Sequence, residues 1–171
     1  MRRALSVCVV AALWPSVGVA DQLAVSLDQP VYESAHTVDL RVVDGVATYK
    51  VRREFVNPGT RSDQAILEID LPYGAAATGL RIKARDRWYE GELMEREKAA
   101  ALYREMTGMG PYRPKDPALL SWAWADKLYL QVFPVMPGQV STVEYTLTAP
   151  TRYANGRTWV SYPRVDATAT T

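Results

Sequence analysis

From His36 onward, apolar and polar residues alternate along most of the chain, the period-two pattern of strands that bury one face. In "HTVDLRVVDGVATYKVRREFVNPGT" two alternating runs flank Asp44-Gly45, a dipeptide that suits the positive backbone angles of a two-residue hairpin turn. Tyr49, Val51, Arg53 and Phe55 share one face of the second run, and Asn57-Pro58-Gly59 ends it as a turn. The next run, "QAILEIDLP", puts Ala65, Leu67, Ile69 and Leu71 together before Pro72 closes the strand. Leu80, Ile82 and Ala84 share a face in "TGLRIKA", with a turn at Asp86 before Trp88 and Tyr89. Further on, "LYLQVFP" and "STVEYTLTA" read as strands separated by a Pro137-Gly138 turn, with Val143, Tyr145 and Leu147 facing inward, and "RTWVSYP" as one more. The stretch 21–36 carries only a weak pattern and reads as a leader.

One segment breaks the alternation. In "GELMEREKAAALYREM" the residues Ala99, Leu102, Tyr103 and Met106 recur at helical spacing, which predicts a helix over about 92–107 with an inward stripe. Glu92 and Arg96 form an i,i+4 pair in the favoured order, and Gly108, Gly110 and Pro111 stop the helix. Glu95 falls on the same stripe, one turn before Ala99. The expected fold class is therefore mainly β, an antiparallel β-sandwich with one inserted α-helix.

The amino terminus changes where this domain is expected to start. "MRRALSVCVVAALWPSVGVA" has two arginines, a short apolar run and small residues before Asp21, the pattern of a secretory signal peptide over 1–20 cleaved after Ala20. Its apolar run is broken by Pro15 and is short against the ~20 residues a spanning helix needs. The mature protein is accordingly expected to be secreted or periplasmic, with no transmembrane span. Cys8, the single cysteine, leaves with the signal, so no disulfide or cysteine metal site is expected. Loss of Arg2 and Arg3 turns the formal net charge from +1 to about −1, which gives no electrostatic footprint for nucleic acid. The main domain is expected over 37–165, with 166–171 a tail or linker.

Candidate chemistry is sparse. A serine–histidine mechanism needs a base, and the lone His36 precedes the first clear strand, where an exposed loop position is expected. No phosphate loop, calcium loop or G-x-S-x-G elbow occurs, and no cofactor or metal is implied. Glu90, Glu92, Glu95 and Glu97 lie close in sequence to Trp88 and Tyr89. Paired carboxylates beside stacking aromatics leave one alternative, a carbohydrate-directed enzyme or binder using Glu95 and Trp88. The simpler reading is a solvated helix face beside strand-end packing. Trp122 and Trp124 in "SWAWADK" are spaced to share one strand face; core burial is expected, and exposure would instead mark a surface for a protein partner. A core-facing Glu95 needs a partner, because an unpaired buried charge is costly. Arg53, on the inward face with Val51 and Phe55, is the expected one, making Glu95–Arg53 a structural ion pair.

The order of these motifs resembles the VIT domain (vault protein inter-alpha-trypsin domain), in its bacterial form. Phe55, Asn57 and Pro58 match its F-x-N-P turn; Ala65, Leu71 and Pro72 its next strand; Gly91, Glu95, Ala99 and Tyr103 its helix; and Pro134, Pro137 and Gly138 its P-x-x-P-G junction. Gln64 and Asp70 depart from the usual acid and proline. The resemblance spans roughly Val38–Leu147. It implies a β-sandwich with one helix, of a kind found in extracellular or multi-domain interaction proteins, with no transferable catalytic residues; together with the signal peptide, a non-enzymatic protein–protein interaction module of the cell envelope is expected. In many family members a von Willebrand A domain follows, so a separately encoded protein with such a domain is the partner the resemblance suggests.

Overall fold

The computed structural model describes residues 23–27, 29–84, 86–91, 98, 101–102, 104–105 and 118–163. The strands are β1 (Leu23–Ala24), β2 (Tyr32–Val43), β3 (Val46–Val56), β4 (Asp63–Asp70), β5 (Ala76–Ala84), β6 (Arg87–Glu90), β7 (Ala118–Trp124), β8 (Lys127–Val135), β9 (Val140–Pro150), β10 (Arg152–Ala154) and β11 (Arg157–Trp159). They form a four-stranded sheet in the order β1-β4-β8-β7, a five-stranded sheet in the order β2-β3-β9-β5-β6, and the separate hairpin β10-β11. Every strand pair is antiparallel.

The alternation dictates which faces meet. Tyr49, Val51 and Phe55 of β3 and Val143, Tyr145 and Leu147 of β9 point from the larger sheet into one core. Ala65, Leu67 and Ile69 of β4 and Leu128, Leu130 and Val132 of β8 meet them from the smaller sheet. The β2–β3 hairpin turns at Asp44 and Gly45, both with positive φ (49° and 79°), between the paired residues Val43 and Val46. This is the conformation that Asp-Gly adopts readily and a branched residue does not. The five described residues between Gly91 and Ala118 (Lys98, Ala101, Leu102, Arg104 and Glu105) are helical, within the expected helix. Leu102, expected to face inward, is instead 41% exposed: periodicity picks out a face, and only tertiary packing decides how much of it is covered.

The stretch 21–36, read from sequence as a leader, supplies β1 and the start of β2. Its anchor is Asp63, a buried carboxylate that accepts backbone N–H bonds from Ser26 (2.9 Å), Leu27 (2.8 Å), Gln29 (3.2 Å) and Gln64 (2.7 Å). Leu23 and Val31 are buried on either side of this clasp. Asp63→Ala is expected to release residues 23–30 as a unit. Because the freed amides return to water, the loss is limited to about 2 kcal/mol, the scale of one charge-assisted hydrogen bond. Limited proteolysis checks it: new cleavage should appear within 23–30 while the sheets stay resistant.

Candidate functional site

Two of the sequence motifs meet in space. Asn57, fully buried after β3, forms a bridge to Pro137, and its carbonyl accepts the Gly138 N–H at 3.0 Å. Its side-chain amide donates to the Arg61 carbonyl at 2.8 Å and the Val135 carbonyl at 2.9 Å, and its Oδ1 accepts the Gly59 N–H at 2.9 Å. One asparagine thus ties together the turn after β3, the entry to β4 and the end of β8. Gly138 has a φ of 69° and lets the chain reverse beside it. Phe55 is buried just before this junction, whereas Pro58 is exposed on it.

Gly91 also has a packing reason. Its N–H donates to the Leu80 carbonyl at 2.6 Å, and a Cβ at this position would stand 2.9 Å from that same oxygen. Only glycine lets the chain leave β6 so close to β5. Glu95, Ala99 and Tyr103 lie outside the described residues.

Arg53 is 1% exposed and sits in a polar cluster within the apolar face of β3. Among the described residues, Glu33 of β2 lies at 3.3 Å from its guanidinium and the Tyr145 hydroxyl accepts from Nε at 3.1 Å. Glu95, expected as the ion-pair partner, is outside the described residues. His36 is not in an exposed loop: it lies on β2 with its side chain 5% exposed, 3.4 Å from Glu33 and 2.8 Å from the Tyr162 hydroxyl. A bulge between Glu33 and Ala35 shifts the register of β2 against β3 at this end, which a strict period-two reading does not anticipate. Tyr162 stacks on Tyr49 at 5.5 Å between centroids, and the Tyr49 hydroxyl donates to the Ser161 carbonyl at 2.7 Å. The segment after β11 is thereby fastened over the inner face of the larger sheet.

Burial raises the Tyr49 phenol above its ordinary value of 10.0. Above that pH the unfolded chain releases this proton while the folded chain retains it, so the stabilisation is complete below pH 10 and declines as pH rises. Melting curves across that range are expected to fall less steeply for Tyr49→Phe than for the parent chain.

On the outer face of the larger sheet, Glu144 of β9 stands directly between Arg52 of β3 and Arg81 of β5. It accepts from Arg81 at 2.5 Å and from Arg52 at 3.2 Å. Both guanidiniums also lie over the Trp88 ring, at 4.4 Å for Arg81 and 5.4 Å for Arg52. Trp88, the candidate sugar platform, is thus already engaged by cations.

Trp122 and Trp124 are 41% and 68% exposed, where core burial was expected. Nor do they share a face. A register shift between them pairs Trp122 with Leu128, which is buried, and Trp124 with the neighbouring Lys127. Spacing of i,i+2 predicts one face only where the ladder is regular, and an extra residue reverses the direction. Trp122 therefore continues the inward row of Ala118 and Leu120, half-uncovered because β7 is the edge strand. Trp124 joins the outer row of Lys127, Glu68 and Asp70. Hydrogen bonding to Glu68, and then to Asp70, raises the Lys127 ammonium above its ordinary value, so that charge is held within its own sheet. Tyr129, on the same outer face, is 37% exposed. The result is an edge strand whose end carries an indole on each side.

Two packed antiparallel sheets, with the Asn57 junction closing one end, define the chain as a β-sandwich domain. Residues 34–148 match the family model of the vault protein inter-alpha-trypsin domain, and the chain belongs to the VIT family. Domains of this family occur in proteins that also carry von Willebrand A domains. No curated protein matches the chain.

Proposed function

We propose that this chain is an exported, non-enzymatic interaction module of the cell envelope that binds a protein partner carrying a von Willebrand A domain. The observation behind this reading is the exposed pair Trp122 and Trp124 on edge strand β7. Among the described residues β7 pairs with β8 alone, and an edge strand with large aromatics on either side supplies backbone groups and contact area for a partner strand or loop. The best-formed polar clusters serve the fold: Arg53 and His36 hold strands and the segment after β11, and the Trp88 ring is covered by arginines. The signal-like sequence over 1–20 supports export.

The test is titration calorimetry of the purified chain against a purified von Willebrand A domain protein. Binding that Trp122→Ala/Trp124→Ala removes, with the melting temperature nearly unchanged, is the expected outcome. Absence of binding by the parent chain sinks the partner assignment, and equal binding by the double variant sinks the surface. Fractionation with amino-terminal sequencing tests export separately: Asp21 as first residue of an envelope protein is expected, and an uncleaved cytoplasmic chain would contradict it.

A further inference from the structure

Among the described residues β2 forms one edge of the larger sheet, and its last five residues, Asp39–Val43, are exposed on both faces. This is not a polar edge. Leu40 and Val42 lie opposite Tyr49 and Ala47, which are buried at 1% and 0%, yet are themselves 42% and 44% exposed. Their side chains continue the inward apolar face of the sheet past the point where the sandwich covers it. Val38 precedes them on the same face and packs against the core. The opposite face of this segment carries Thr37, Asp39, Arg41 and Val43. Asp39 lies opposite Lys50 and Arg41 opposite Thr48. Among the described residues neither Asp39 nor Arg41 closes an ion pair. The accessible run is bounded at one end by Val38, which packs against the core, and at the other by the Asp44-Gly45 turn.

We propose that this edge pairs with a second copy of the chain, β2 against β2, antiparallel about a two-fold axis at Leu40. A two-fold axis through an antiparallel strand pair sets each residue against one of the same parity, so inward faces meet inward faces. Centred on Leu40, the pairing sets Asp39 against Arg41 of the second copy and Arg41 against its Asp39. On the inner face Leu40 meets Leu40, and Val38 meets Val42. The neighbouring alignments are disfavoured by the same charges. Centred on Asp39, two carboxylates stand opposite each other, and centred on Arg41, two guanidiniums do. Opposite charges across a strand pair stabilise it and like charges destabilise it, so the sequence selects one register. The two larger sheets then join into one continuous ten-stranded sheet, five strands from each copy, and the exposed leucine and valines are covered. This edge belongs to a different sheet from β7, so the proposal stands or falls separately from the partner-binding reading.

The experiment is sedimentation velocity on the purified full chain from micromolar to near-millimolar concentration. The parent chain is expected to show a reversible monomer–dimer equilibrium. Asp39→Arg alone and Arg41→Asp alone each replace two attractive contacts with two repulsive ones, and each is expected to weaken the dimer roughly tenfold or more. An equimolar mixture of the two variants places two arginines opposite two aspartates and is expected to recover the dimer. So is the double variant Asp39→Arg/Arg41→Asp. A parent chain that stays monomeric at the highest concentration overturns the proposal, since the charges then serve to keep the edge unpaired. Dimerisation that ignores the single reversals, or that the mixture fails to recover, overturns it as well. Both positions are exposed, and an unchanged near-ultraviolet circular dichroism spectrum verifies folding of each variant.

Discussion

Arg53→Ala is expected to destabilise the domain by about 3–5 kcal/mol, the cost of breaking one side of a buried ion pair. The substitution leaves Glu33, with a side chain only 6% exposed, without the guanidinium at 3.3 Å. It also removes the donor to Tyr145 and opens a cavity in the middle of β3. Urea unfolding followed by tryptophan fluorescence measures the loss, and a decrease below about 1 kcal/mol, the range of exposed pairs, would contradict it. Arg53→Met, which refills the volume, separates packing from charge. Combined with Glu33→Gln it is expected to cost less than the sum of the single losses, because both variants remove the same contact between the two side chains. Strict additivity would mean that the two side chains do not act together.

Asn57→Ala is expected to cost about 3 kcal/mol, from three hydrogen bonds worth roughly 1 kcal/mol each. It leaves the Arg61 and Val135 carbonyls and the Gly59 N–H without their partner. Asn57→Asp is the sharper variant. It retains an acceptor for Gly59 but faces two carbonyl oxygens with another oxygen. At neutral pH it is expected to be at least as damaging as alanine, measured by the same unfolding midpoint. A near-wild-type midpoint for Asn57→Asp would show that the junction rearranges and that the amide is not its organising group.

The inward faces of β3, β4 and β9 are legible from the chain alone because each is a long regular alternation whose apolar members are all covered. The Asp44-Gly45 turn is legible for a local reason, the backbone angles those residues accept. Outcomes set by distant neighbours are not legible in this way. His36 looks like a loop residue until the bulge in β2 and the returning Tyr162 enclose it. Trp122 and Trp124 look like a core pair until β7 proves to be an edge strand whose ladder slips between them. Leu102 has the spacing of a buried residue without the cover. At the Asn57 junction, the motif names the residues but not their meeting: Asn57 and Pro137 are brought together by the β3–β9 ladder, whose register fixes both ends. Glu33 carries no sequence signal at all, since a single acid in a weakly patterned stretch is ordinary. Its position beside Arg53 and His36 gives it a role.

The position of β9 has a consequence for how the molecule is made. It is the middle strand of the larger sheet, flanked by β3 and β5, yet it is the last long strand in chain order. A chain growing from its amino terminus carries the β2–β3 and β5–β6 hairpins before the strand that joins them exists. An isolated two-stranded hairpin is marginal in water. Such a nascent chain exposes Tyr49, Val51 and Phe55 to solvent until Pro150 has emerged, and then closes contacts nearly a hundred residues apart, such as Val51 with Tyr145. Assembly of the larger sheet therefore waits on β9. Its half-made chain is the form most in need of a holding chaperone.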